Sequence, residues 1–90
     1  MTSKECKNFI DTVLFQMPSD QSIHPKRVAK RTEDDVVYRL FSLHGNGYLV
    51  ELVEKNNAVA SYTVVRNGDE KAKKALFDNY KSVSEINVLW

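Results

Sequence analysis

The sequence between residues 36 and 66 constrains the fold most, because it alternates apolar stretches with short turn signals. The stretches read VVYRLFSL, YLVELVEK and AVASYTVVR, and they are separated by HGNG and by Asn56-Asn57. Asn-Gly and Asn-Asn tolerate the positive φ that two-residue hairpin turns require. The pattern therefore predicts a three-stranded antiparallel meander. A two-residue loop at Asn46-Gly47 sets Arg39 opposite Glu54 in its first hairpin.

An amphipathic helix is predicted near the start of the sequence. Apolar side chains recur there at the spacing of one helix face, at Cys6, Phe9, Ile10, Val13, Leu14 and Met17. Thr2 and Glu5 have the spacing of a capping box, and Pro18 disfavours helical geometry at the residue before it. We therefore expect a helix from about Ser3 to about Gln16, with Phe15 on the face opposite the apolar stripe.

A second amphipathic helix is predicted after the meander, in the segment NGDEKAKKALFDNYKSV. Asn67 stands three residues before Glu70 and is a candidate N-cap. The apolar face of this helix comprises Ala72, Leu76, Tyr80 and Val83. In the last residues, Ile86, Val88 and Trp90 alternate with other residues, which is the period of a short strand.

Residues 18–35 show no sustained hydrophobic period, and we interpret them as a long charged loop. A short strand around Arg27 to Thr32 is the alternative, and it shortens that loop. The expected fold is α+β in the order α-β-β-β-α-β: a three-stranded antiparallel meander packed against two helices, with a short C-terminal strand. Ninety residues suit one domain, residues 1–90.

The composition limits the functional classes. Thirteen Lys and Arg against twelve Asp and Glu lack the strongly basic balance of a dedicated nucleic-acid coat protein. No apolar run approaches the roughly 20 residues that cross a bilayer, so we expect no membrane span. The single cysteine, Cys6, cannot form an internal disulfide, and the first ten residues lack the apolar segment of a secretory signal. We therefore expect a cytoplasmic protein.

No motif in the sequence indicates catalysis, a cofactor or a metal. Cys6, His24 and His44 have spacings that match no zinc pattern. The glycines at 45 and 47 lie between two predicted strands, so they lack the helix N-terminus that lets such loops bind phosphate. No serine or cysteine stands in a nucleophile signature. We therefore expect no enzyme, no catalytic residue, no metal ion and no cofactor.

Both faces of the predicted meander are apolar. In the register above, Phe41, Val50, Leu52 and Val65 share one face, and Tyr38, Leu40, Leu49 and Tyr62 share the other. A half-solvated antiparallel sheet has a polar face, so we expect the second face to be covered. The candidates for that cover are the long loop, the C-terminal strand, a second copy in a homodimer, or a partner protein.

This apolar surface favours a small non-enzymatic protein-binding module that acts by steric occlusion. Inhibitors, immunity or antitoxin proteins and phage-encoded modulators of host proteins work in this way. Large apolar and aromatic side chains dominate the energy of protein interfaces. The anchors for a protein partner of unknown identity are therefore expected at Phe15, Tyr38, Leu40 and Tyr62.

Nucleic-acid binding is the alternative function. Basic residues concentrate in the predicted loop and on the outer face of the second helix, at Lys26, Arg27, Lys30, Arg31, Lys71, Lys74 and Lys81. With the lysines of DEKAKKALF, the order α-β-β-β-α is similar to that of double-stranded RNA-binding domains, and the resemblance implies lysines presented to phosphates. The chain departs from that family in its 18-residue connection before the first strand and in its predicted C-terminal strand.

Overall fold

A four-stranded antiparallel sheet with the order β1-β2-β3-β4 forms the centre of the structure. The computed structural model describes residues 1–17, 23–43, 47–66 and 68–81. The strands are β1 (Lys26–Glu33), β2 (Val36–Leu43), β3 (Tyr48–Lys55) and β4 (Ala58–Val65). Helix α1 (Ser3–Phe9) precedes the sheet and helix α2 (Glu70–Asp78) follows it. The α+β class is therefore confirmed, with one strand more than the predicted meander.

The interpretation of residues 18–35 as one long loop is wrong, because β1 occupies Lys26–Glu33. The alternative strand at Arg27–Thr32 is confirmed and is one residue longer at each end. This strand lies at a sheet edge, and only Val28 and Ala29 among its eight side chains are apolar. A bulge between Arg27 and Ala29 also breaks the alternation of faces. For both reasons the sequence shows no strand period here.

Helix α1 begins as predicted but ends early. The Thr2 hydroxyl accepts a hydrogen bond from the Glu5 N–H at 3.1 Å, and the Glu5 carboxylate accepts one from the Thr2 N–H at 3.1 Å, so the capping box is confirmed. The backbone continues as a π-helical segment over Ile10–Leu14, in which the Phe15 N–H donates to the Ile10 carbonyl at 3.1 Å. The wider turn changes which residues face the sheet. Val13 is consequently exposed, whereas Phe15 packs inward.

The two helices cover opposite faces of the sheet. On the α1 face, Cys6 and Ile10 pack against Phe41, Leu43, Val50 and Leu52. On the α2 face, Leu76 and Tyr80 pack against Ala29, Leu40, Leu49 and Val65. Each apolar face of the sheet thus has a helix of its own, so neither face requires a loop or a second chain to cover its centre.

The predicted register of the first hairpin is wrong by two residues. Arg39 lies opposite Leu52, not opposite Glu54, and Leu43 pairs with Tyr48. Four residues therefore connect β2 and β3, of which 44–46 lie outside the described residues. Because side chains alternate with a period of two, this shift leaves every residue of β2 and β3 on its predicted face.

The second hairpin has the predicted two-residue turn, but the faces of most of β4 are exchanged. Asn56 and Asn57 have φ values of 56° and 62°, as such a turn requires. A register shift then leaves Ala60 as an extra residue in β4, since Val59 pairs with Glu54 while Ser61 pairs with Val53. One inserted residue sends all later side chains to the opposite face. The predicted placement of Tyr62 with Leu40 is therefore wrong.

Helix α2 is amphipathic as predicted, with a different N-cap. The Asp69 side chain accepts a hydrogen bond from the Ala72 N–H at 3.2 Å, which replaces the predicted cap at Asn67. Leu76 and Tyr80 lie on the buried face. Asn67 itself, Val83 and the predicted C-terminal strand at residues 86–90 lie outside the described residues.

Candidate protein-binding surface

The middle of strand β4 is exposed on both faces of the sheet. The exposed side chains of the strand are Ala58, Ala60, Ser61, Tyr62 and Thr63. By contrast, Val64 is half-buried at the α1 face and Val65 is buried at the α2 face. Each helix packs on the central strands and on the end of β4, while the middle of β4 stays exposed even where Phe9 of helix α1 touches Tyr62. Among residues 1–17, 23–43, 47–66 and 68–81, no strand pairs with the outer backbone edge of β4, hereafter the β4 edge.

Tyr62 is the largest exposed side chain on this strand. Pairing with Leu52 places it on the α1 face, where its ring meets Phe9 of helix α1 edge-on, with centroids 6.5 Å apart and an interplanar angle of 62°. Even with this contact, Tyr62 remains 54% exposed. Val64 lies two residues farther along the same face. We call Phe9, Tyr62 and Val64 the Tyr62 patch, and it is an apolar, aromatic surface beside the β4 edge.

The two edges of the sheet differ in charge. Strand β4, with the sequence AVASYTVV, contains no ionisable group except the Tyr62 phenol. Strand β1, with the sequence KRVAKRTE, carries four cationic residues and one carboxylate, and it also has a bulge. Charges and bulges are common protections of exposed strand edges against pairing with other chains. The β1 edge therefore has both protections, whereas β4 has only its bulge at Ala60.

The structure does not bring the four predicted anchors together. Leu40 is 0% exposed beneath helix α2, so no partner can reach it in this fold. Tyr38 is half-buried on the same face, and the Arg31 guanidinium stacks on its ring at 3.8 Å. Phe15 lies on the other face and packs edge-on against Tyr48 at 6.4 Å. Of the four, only Tyr62 has a widely exposed side chain.

The predicted basic residues are divided between the two faces. Arg27 and Lys30 lie opposite Phe41 and Arg39 and so project to the α1 face. Arg31 projects to the α2 face, where Glu33 contacts its Nη1 at 2.8 Å. The remaining predicted residues are Lys26 on the α2 side of β1 and the exposed Lys71, Lys74 and Lys81 of the α2 region. Lys81 also pairs with Asp78 at 3.0 Å.

A polar cavity of about 390 Å³ lies at the end of the sheet that carries the β3–β4 turn, and its lining residues are Met1, Asp35, Val37, Arg39, Glu54, Asn56 and Asn57. The Arg39 Nε donates to one oxygen of Glu54, and the Met1 ammonium lies 2.9 Å from the other. The Arg39 Nη2 donates to the Met1 carbonyl at 2.9 Å. Since both Glu54 oxygens have a cationic partner, this carboxylate is engaged in an ion-pair network and is poorly placed to act as a general base.

The thiol of the buried Cys6 is protonated at neutral pH. Burial, with a further contribution from the nearby Glu54 carboxylate, raises the pKa of the Cys6 thiol to about 11. A reactive cysteine needs the opposite environment, with partial exposure and positive neighbours. Among the described residues, no three His, Cys, Asp or Glu side chains form a group that could hold a metal ion. In the same part of the chain, no helix is long and apolar enough to cross a membrane.

Comparison with protein-family models, with curated proteins and with solved structures gives no match. The functional argument therefore depends on the residues of the chain itself. The four-stranded order also departs from the three-stranded order of the double-stranded RNA-binding domains that the sequence resembles.

Phe9 packs against the core of the α1 face, as its place in the apolar stripe predicts, but the sequence did not indicate that its ring also contacts the exposed Tyr62. The exposure of Val13 was not predicted either, and it follows from the π-helical segment. One signal was present in the sequence. The eight residues of β4 include no Lys, Arg, Asp or Glu, so the edge that this strand forms in the structure lacks charge protection.

Proposed function

We propose that this chain is a small non-enzymatic protein-binding module and that the Tyr62 patch is its contact surface. The observation that carries the proposal is a tyrosine 54% exposed on an uncharged edge strand, next to a second aromatic ring. Tyrosine and other aromatic residues are enriched among the side chains that dominate interface energies. A partner bound there is held by apolar contacts at the surface of the chain and does not enter its interior.

The mechanism of such a module is steric. The α1 face presents Tyr62 beside Phe9, and a partner surface laid on these rings loses access to its own ligands. The raised pKa of the Cys6 thiol and the neutralised Arg39–Glu54 pair support a binding role over a catalytic one. Inhibitors that act by occlusion need only a rigid surface of this kind.

Affinity capture from extracts of the source cells, with three purified baits, tests the proposal. The baits are the unaltered chain, Tyr62→Ala, and Phe77→Ala as a matched control, since Phe77 is an exposed aromatic residue on helix α2. We expect a protein that the unaltered and Phe77→Ala baits retain and the Tyr62→Ala bait loses. Calorimetry with that purified protein should then show affinity about 30-fold lower for Tyr62→Ala, as for a hot-spot residue of about 2 kcal/mol.

Far-UV circular dichroism and thermal unfolding of the three baits provide the folding control. If folded Tyr62→Ala retains every partner of the unaltered chain with the same affinity, the Tyr62 patch is not the contact surface and the proposal is wrong.

A further inference from the structure

The β4 edge can accept another strand, and its flat part is short and self-complementary. The bulge at Ala60 ends the regular pairing on one side, and the strand ends at Val65 on the other, which leaves Ser61–Val65 as an uninterrupted segment. Thr63 is the midpoint of this segment. An antiparallel pair of two such segments, with Thr63 at the two-fold axis, uses the whole flat length of both strands.

This register gives favourable cross-strand neighbours. Thr63 lies opposite Thr63 of the second copy, and Tyr62 lies opposite Val64 of the second copy. Threonine–threonine pairs and aromatic–β-branched pairs both stabilise antiparallel sheets. No charged side chain enters the paired segment, because the strand has none. Tyr62, which is exposed in a single copy, gains an apolar neighbour.

The charges of the two sheet edges favour pairing of β4 with a second β4, since β4 carries no charged side chain and β1 carries five. Pairing β4 with the β1 edge of another copy instead sets an uncharged strand against Lys26, Arg27, Lys30 and Arg31, which lose hydration without gaining a counter-ion.

We infer that the occupant of the β4 edge is a second copy of this chain, paired antiparallel about a two-fold axis at Thr63 to form a continuous eight-stranded sheet. Directly opposed residues of an antiparallel pair point to the same side, so both α1 faces lie on one side of this sheet. The two Tyr62 patches thereby become one larger surface. The inference deepens the proposed function, on which it rests for the role of that joined surface, while the pairing itself requires no other protein.

A five-residue strand pair is a small interface. Interfaces below roughly 1,200 Å² are typical of weak and transient complexes. We therefore expect reversible dimerisation with a dissociation constant in the micromolar range or weaker, which requires measurement over a wide concentration range.

Sedimentation equilibrium of the purified chain between about 10 μM and about 1 mM tests the inference at the concentrations where such weak complexes form. We expect a monomer–dimer equilibrium for the unaltered chain. The double variant Ser61→Lys with Thr63→Lys should dimerise at least tenfold more weakly, since lysines on an edge strand oppose strand pairing. Both residues are exposed, and circular dichroism verifies the fold. Thr32→Lys, an exposed position on β1, is the matched control and should dimerise like the unaltered chain.

A cysteine at the two-fold axis tests the register. Directly opposed residues of an antiparallel pair have Cα atoms about 4.5 to 5.5 Å apart, a distance that a disulfide can span. We therefore expect Thr63→Cys to form a disulfide-linked dimer under mild oxidation and Thr32→Cys to remain monomeric. The native Cys6 is 0% exposed and does not compete.

An unaltered chain that stays monomeric up to about 1 mM overturns the inference, because even weak specific interfaces associate at that concentration. It is also overturned if the double lysine variant dimerises normally, or if Thr63→Cys crosslinks no faster than Thr32→Cys. None of these results contradicts the proposed function, which the Tyr62→Ala capture experiment decides separately.

Discussion

Arg39 and Glu54 form a buried ion pair although they are not cross-strand neighbours. Arg39 lies opposite Leu52, and Glu54 lies opposite Val37, so the Arg39 Nε reaches diagonally along the sheet to its partner. Both side chains are at least nine-tenths buried. The pair therefore lies buried at one end of the α1 face. Removing either charge leaves the other in the interior without its counter-ion, which costs free energy.

Removal of one member of this pair should destabilise the fold strongly. We expect Glu54→Ala to lower the free energy of unfolding by about 3 to 5 kcal/mol, because the Arg39 guanidinium then remains buried without its counter-ion. The double variant Arg39→Met with Glu54→Leu should lose much less. Urea unfolding of the three proteins measures this difference, and a loss of less than about 1 kcal/mol for Glu54→Ala contradicts a buried pair.

The Cys6 thiol should make the stability depend on alkaline pH. Its pKa is raised from 9.0 to about 11, mainly by burial. Between these values the unfolded chain releases the thiol proton while the folded chain keeps it, so rising pH favours unfolding. We expect the free energy of unfolding of the unaltered chain to fall more steeply across this window than that of Cys6→Ala. Parallel curves for the two proteins contradict the raised pKa.

The Tyr80 hydroxyl should contribute to stability through Glu51. It donates a hydrogen bond to this buried carboxylate at 2.7 Å, and burial together with this bond raises the pKa of Tyr80 above its ordinary value. Tyr80→Phe leaves the Glu51 oxygen without that donor, and we expect a loss of about 1 to 3 kcal/mol. Tyr62→Phe, which removes the same group from an exposed ring, is the control and should change the stability little. Equal effects of the two variants contradict this role.

Duplex nucleic acids should bind weakly. The cationic residues of β1 project to two faces, and Arg31 is already engaged by Glu33 and Tyr38. We expect fluorescence anisotropy with labelled duplex DNA and RNA to show no saturable binding at about 200 mM salt, since phosphate contacts weaken steeply with salt. Saturable binding there that is lost on charge reversal of Lys26 and Arg27 supports the nucleic-acid alternative over the protein-binding proposal.

The elements that could be predicted from the sequence are those with a strong local signal. The Thr2–Glu5 capping box and the Asn56-Asn57 turn depend on side chains close in sequence, and both have the expected geometry. The contact between Arg39 and Glu54 was also predicted, although from a register that is wrong by two residues. The predicted contact survives this error because a register shift of two residues keeps both side chains on the same face, where their length lets them meet diagonally.

The features that could not be predicted are single-residue changes of period. The bulge at Ala60 exchanges the faces of Tyr62 and Val65, and the π-helical segment exposes Val13 while it turns Phe15 inward, where that ring is half-buried. Neither irregularity has a local sequence signal, since each depends on how the segment packs against the sheet. For this reason the candidate site differs from the predicted one. Tyr62 is a predicted anchor, but its neighbours lie on the α1 face and not on the α2 face with Tyr38 and Leu40.

The central claim, that the Tyr62 patch contacts another protein chain, is tested most directly by a photo-crosslinking phenylalanine analogue placed at position 62. The same analogue at position 77, on the α2 side, is the control. On irradiation in extracts of the source cells, we expect covalent adducts, with a second copy or with another protein, from position 62 and not from position 77. A folded position-62 variant that yields no adduct, or adducts from position 77 alone, contradicts the account.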